Sequence, residues 1–130
     1  METIVLDTNI ILRFVVKDNK SQYDIAKRIF RDIEDGKNKA QISLLVLNET
    51  TWMLEKYYKH NRKDFVSKLR SLFSLKGIDF IEIKKTLAME VLDILEETKF
   101  DLTDIYLSRI TKKNNLLSFD KDFEKLYKLE

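Results

Sequence analysis

The chain has 130 residues, of which 44% are hydrophobic and 35% charged, with no cysteine, no proline and one histidine. That length suits a single domain burying roughly two-thirds of the surface its unfolded chain would expose, and the missing cysteines exclude disulfides, zinc–thiolate sites and a cysteine nucleophile. Net charge is only +2, from 24 basic and 22 acidic residues, so the chain is no strongly cationic nucleic-acid binder, and any affinity for phosphate must come from how the charge is distributed.

The composition favours a compact domain over a disordered chain. The lone His60 cannot support a multi-histidine metal site. No apolar run approaches the roughly 18 residues of a membrane span. Met1-Glu2-Thr3 leads straight into apolar sequence with no targeting segment ahead of it, so the expected location is the cytoplasm, away from membranes.

The first predicted strand covers residues 3–6, a run suited to burial on both faces, and delivers Asp7-Thr8-Asn9 to a helix start. A helix follows over residues 9–17 with Ile10, Ile11, Phe14 and Val15 on one face. Ser21 is placed to cap a second helix ending near Asp35, with Ile25, Ile29, Phe30 and Ile33 at the helical period and Gly36 as its stop.

Ala40-Gln41-Ile42 reads as a short strand and Ser43 as the cap of a third helix, from Leu44 to about Tyr58. That helix is apolar on nearly every side and puts Leu45, Trp52 and Met53 on one face with Glu49, as a central helix or a subunit contact would. A fourth helix over residues 63–75 carries Phe65, Val66, Leu69, Leu72 and Phe73, and Lys76-Gly77 closes it. Phe80-Ile81-Glu82-Ile83 alternates as a strand, and residues 86–97 form a fifth helix burying Leu87, Val91, Leu92 and Leu95. A sixth helix is expected to open at Asp104 and run to Lys113, with Asn114-Asn115 as a turn. Leu116 to Phe119 reads as the last strand, before an acidic turn and a short helix from Asp120. Strands alternating with helices imply an α/β fold with a parallel sheet and helices on both faces.

Four acids stand out. Asp7 and Asp120 each follow an apolar strand, which places both at the carboxyl edge of one parallel sheet, where ligands bind in such folds. Asp104, at a helix start, can point to the same edge. Each aspartate equally suits a capping role near a helix N-terminus. Glu49 lies inside a helix on an apolar face with no cation in its own turn, and burial there demands a metal or a donor unless it sits at the edge of the stripe. Four converging carboxylates repel, and a hard divalent cation, Mg2+ or Mn2+ as one or two ions, is the usual remedy; such a site suits phosphoryl chemistry.

Thr8 and Asn9 can orient Asp7 or cap the first helix, Asp101 can cap the helix of Asp104, and Ser118 and Asp122 flank Asp120. Arg13, Lys17 and Lys56, with Lys20, Lys59, Arg62, Lys112 and Lys113, are candidate phosphate contacts, and Tyr23, Tyr57 and Tyr58 can stack on unpaired bases, although charged helix surfaces are usually just solvated.

The runs LDTNIILRF at residues 6–14, VLNETTWML at 46–54, DLTDIYLS at 101–108 and LLSFDKDF at 116–123, in this order, resemble a PIN-domain ribonuclease of the VapC toxin type from bacterial and archaeal VapBC pairs. The resemblance spans essentially the whole chain, 1–130, as one PIN domain. It implies a three-layer α/β/α fold around a parallel sheet of about four to five strands. It also implies a catalytic metal site at Asp7, Glu49, Asp104 and Asp120, with Thr8, Asn9, Asp101, Ser118 and Asp122 close by. Single-stranded or loop RNA as substrate, homodimerisation, and inhibition by a cognate VapB-like antitoxin follow from the same resemblance. Asn114-Asn115 stands where relatives often carry glycine. Two alternatives remain: a catalytically silent PIN-fold module binding RNA or a partner, and a phosphatase using Asp7 as nucleophile, which would need a second acid where Asn9 stands.

Overall fold

The computed structural model describes residues 2–129. Three parallel strands, β1 (Glu2–Val5), β2 (Asn38–Ile42) and β3 (Ile78–Phe80), form a sheet in the order β1-β2-β3. Ile4 stands opposite Ala40, and Ala40 opposite Ile78. Alternation sets the core face, because Ala40, Ile42, Ile78 and Phe80 are buried while Lys39 and Asp79 face water.

The sheet has three strands among the described residues, fewer than the four or five expected. Leu116–Phe119 forms no strand pairing and bends at Phe119, and its Leu117 and Phe119 are exposed. As a consequence β1 is an edge strand. Instead of being covered on both faces, it buries Ile4 in part while Val5 is 64% exposed, and Leu6 enters the core just beyond the strand end.

The helices are α1 (Thr8–Val16), α2 (Lys20–Glu34), α3 (Leu44–Trp52), α4 (Arg62–Phe73), α5 (Lys85–Glu97), α6 (Leu102–Ile110) and α7 (Asp122–Leu126). The cap of α2 is Asn19 and not Ser21: the Asn19 side chain accepts from the Gln22 amide, and Ser21 donates its hydroxyl to Asn19. Gly36 closes that segment at φ +79°, as a glycine stop should. Lysine at position 85 is drawn inward, where Nζ donates to the carbonyls of Leu75 and Ile78, and burial lowers its pKa.

The third helix departs most from expectation. It ends at Trp52 and passes into a π-helical turn, Met53–Tyr57. Its buried side is Leu47, Thr50, Thr51 and then Leu54, whereas Leu45 is 76% and Trp52 57% exposed. A helix apolar all round has no periodic stripe to fix its rotation, and here the two threonines face inward. No helix among the described residues is long and apolar enough to cross a membrane.

Candidate active site

The carboxyl ends of β1 and β2 lie side by side, since the Leu6 amide donates to the Gln41 carbonyl, and they launch α1 and α3 from one sheet edge. Asp7 caps α1, its carboxylate accepting from the Thr8 amide at 2.8 Å. Asp7 is exposed and so keeps acceptor capacity beyond the cap. Thr8, 5% exposed, donates its hydroxyl to the Glu49 carboxylate. That bond holds Glu49 against the residue that follows Asp7. Glu49 is exposed, so its compensation comes from Thr8 and water and not from burial beside a cation.

The start of α3 is fixed by Glu82, which lies past the end of β3 instead of inside a strand. Its carboxylate accepts from the Leu44 amide at 2.7 Å and the Ser43 hydroxyl at 2.9 Å, and these bonds hold its pKa low. An anion at a helix N-terminus complements the helix dipole. Its place in an alternating run concealed this role in the sequence.

The other acids gather at α6. That helix begins at Leu102 instead of Asp104, so Asp101 takes the cap position and Asp104 falls in the first turn. Asp101 makes no side-chain capping bond, and its carboxylate is exposed. Burial raises the pKa of the half-buried Asp104, and the charges of Asp101, Asp120 and Asp122 raise it further. Ser118 accepts from the Asp120 amide at 2.9 Å, and Asp120 accepts from the Asp122 amide at 2.9 Å, which shapes the turn into α7. Arg109 to the Leu126 carbonyl and Tyr127 to the Thr111 carbonyl fasten α7 to the end of α6.

The two groups are joined through their neighbours. Thr103, beside Asp104, donates its hydroxyl to Asn48, beside Glu49, across 3.5 Å. Among the described residues no three acids lie close enough together to hold a metal ion, so the carboxylates stand as a pair on α1 and α3 and a cluster around α6. None of these acids forms an ion pair among the described residues. Uncompensated carboxylates of this kind fit a hard divalent cation by donor chemistry.

Arg62 was missed as a structural residue because its partners are distant in sequence. Only 11% exposed, its guanidinium makes two hydrogen bonds to Glu55, at 2.8 and 3.0 Å, and reaches the carbonyls of Leu95, Thr98 and Phe100. It is an internal staple that holds the α5–α6 connection just before Asp101, not a phosphate contact. Arg13 is similarly engaged, with Asp18 at 2.5 Å and the Tyr58 hydroxyl at 2.9 Å. Asn9 and Lys56 are exposed. Lys17 lies over the Tyr23 ring at 5.4 Å, on a groove of about 540 Å3 between α1, α2 and α4 that none of the candidate acids lines.

Comparison with curated proteins and with solved structures gives no significant match. A family model described as PIN domain matches residues 4–129, with the sheet edge, α3, α6 and the Asp120 turn all inside it. The chain belongs to the PIN domain family.

Proposed function

We propose that this PIN domain is a divalent-metal-dependent endoribonuclease acting on single-stranded or loop RNA, and that it is the VapC-like toxin of a toxin–antitoxin pair. PIN domains are generally nucleases. The observation that carries the reading is the setting of Asp104, a half-buried carboxylate whose pKa burial and the charges of Asp101, Asp120 and Asp122 push up, with no cation paired to it among the described residues. On this reading Asp7 and Glu49 from one group and Asp104 and Asp120 from the other would draw together to hold Mg2+ or Mn2+, which when bound would supply an activated water and a polarised phosphodiester. Thr8 orients Glu49, Ser118 and Asp122 shape the turn of Asp120, and Asn48 with Thr103 ties the two carboxylate groups together.

The groove between α1, α2 and α4 suits the antitoxin. Its floor includes Phe14, Phe30 and Leu72, and Lys17, Lys27, Arg31 and Lys68 are on its rim. Homodimerisation belongs to the same reading, and the exposed Leu45 on α3 offers apolar surface for it.

The test is cleavage of total RNA by the purified chain with Mn2+, with EDTA, and with Asp7→Asn or Asp104→Asn. Activity that needs the metal and both acids supports the reading. Wild-type rates from both variants would remove the site assignment. The separation of the acids into two groups favours one other reading, a catalytically silent PIN-fold module. Metal-independent RNA binding with no turnover would establish it.

A further inference from the structure

Where α3 meets the start of α6 there is a cavity of about 340 Å3, within the range of about 300–1,000 Å3 typical of small-molecule sites. Asn48, Trp52 and Lys56 line it from the α3 side, and Asp101 and Thr103 from the α6 side. Behind them the Glu55–Arg62 pair closes the wall. Of these residues, Asp101 is expected beside the metal site and Lys56 and Arg62 as phosphate contacts, while Asn48, Trp52 and Thr103 carry no expected role.

Four of these side chains have unused capacity. Trp52 is 57% exposed, although an indole of its size ordinarily finds cover. Asn48 spends its acceptor on Thr103, and no hydrogen bond among the described residues uses its amide hydrogens. Lys56 is exposed and forms no ion pair among the described residues, although its charge helps to hold the Glu55 carboxyl low. The Asp101 carboxylate makes no capping bond to its own helix.

We infer that this cavity is a pocket for one unpaired nucleobase of the RNA, with Trp52 as the stacking face, Asn48 and Asp101 reading the base edge, and Lys56 holding the adjoining phosphate. The inference rests on the ribonuclease reading and adds to it a base preference. A flat aromatic face takes any base. Direction comes from charge, since Asp101 repels the phosphate while Lys56 attracts it, so the base enters toward α6 and the phosphate stays outside. Preference comes from Asp101 as well. An ionised carboxylate only accepts, so it favours the bases that present an amino group, adenine, cytosine and guanine, and disfavours uracil, which has none.

Trp52 is the one tryptophan in the chain, so its fluorescence reports occupancy directly. The full chain in EDTA is titrated with short single-stranded oligoadenylate, oligocytidylate and oligouridylate, and with an RNA duplex. The expected result is quenching by the first two at concentrations about 10-fold below oligouridylate, and little quenching by duplex. With labelled oligonucleotides read by anisotropy, Trp52→Ala weakens binding about 10-fold while Trp52→Phe restores most of it. Asp101→Asn levels the preference among bases, and Lys56→Ala weakens every oligonucleotide alike and flattens the salt dependence.

Equal quenching by all four probes overturns the proposal, and so does RNA binding that leaves the emission unchanged. A blue emission that shifts on dilution puts a second copy of the chain on this face and overturns it too. Metal-dependent cleavage whose base preference survives Trp52→Ala and Asn48→Ala removes the pocket and leaves the nuclease reading standing. Base-selective quenching without any cleavage removes the nuclease and leaves the pocket.

Discussion

The hydroxyl of Thr8 donates to the carboxylate of Glu49 across 41 positions of sequence, and this one bond links the start of α1 to the middle of α3. Thr8 is buried and Glu49 exposed, so the threonine is the fixed partner and the glutamate the one it orients. Thr8→Val keeps the shape and removes the donor. The expected loss of stability is about 1 kcal/mol, the net worth of such a bond. Cleavage should fall much further than stability, while Thr8→Ser, which restores the hydroxyl, should recover cleavage. Thermal unfolding alongside single-turnover cleavage separates the two effects, and a parallel fall in both would deny Thr8 any orienting role.

Asp104→Asn should lower RNA cleavage about 100-fold or more. In EDTA the same change should raise the melting temperature at neutral pH. The sign follows from the raised carboxyl, whose ordinary value is 3.8. Above that value the folded chain holds this proton more tightly than the unfolded chain, so stability declines as pH rises until the folded-state value is passed. At neutral pH the ionised group is a net cost, and asparagine removes it. Below the ordinary value the advantage of the variant should disappear. A variant less stable than wild type at neutral pH would show that the charge cluster around α6 is compensated in solution.

Much of this site was legible in the sequence because its carriers are local. An acid directly after an apolar run marks a strand end, and Asp7 is found there. Asp101 and Asp104 sit three apart at a helix start, so either could have been the cap, and the helix beginning at Leu102 decides it. The orientation of α3 was not legible. Apolar residues surround it, and only the packing of Leu47, Thr50 and Leu54 against the core turns Leu45 and Trp52 outward. Arg62 and Glu82 were illegible for a different reason. Their partners are backbone groups and acids set by tertiary contact, and neither residue type nor spacing announces them.

The Arg62 staple predicts a pH profile of its own. The guanidinium hydrogen bond holds the Glu55 carboxyl below its ordinary value of 4.5, with burial opposing. A depressed acid contributes stability that is complete above its unfolded value and is lost as pH falls through the folded one. Glu55→Gln should therefore cost about 2 kcal/mol at neutral pH and almost nothing in strong acid. Arg62→Ala should cost about 3 kcal/mol, because three carbonyls and one carboxylate lose their donor together. Arg62→Lys keeps the charge without the planar fork and should recover only part of this. Denaturant melts across pH, with limited proteolysis of the α5–α6 connection, provide the check. Equal losses for Glu55→Gln at neutral and acid pH would count against the ion pair as the cause.

Leu117 and Phe119 are 94% and 108% exposed, and they lie in the stretch whose sequence reads as a strand. One edge of the sheet is β1, where Val5 is 64% exposed. An exposed apolar segment and an unpaired edge in one chain invite association between copies. Phe119→Ser removes no buried contact, so the expected change in stability is within about 0.5 kcal/mol. Sedimentation at increasing concentration should show weaker self-association for the variant than for wild type. A stability loss of about 2 kcal/mol or more, with no change in association, would instead mean that the segment packs within its own chain in solution. In that case Val5→Ser should lose a similar amount, because this exposed apolar side chain of β1 would then be part of the same contact.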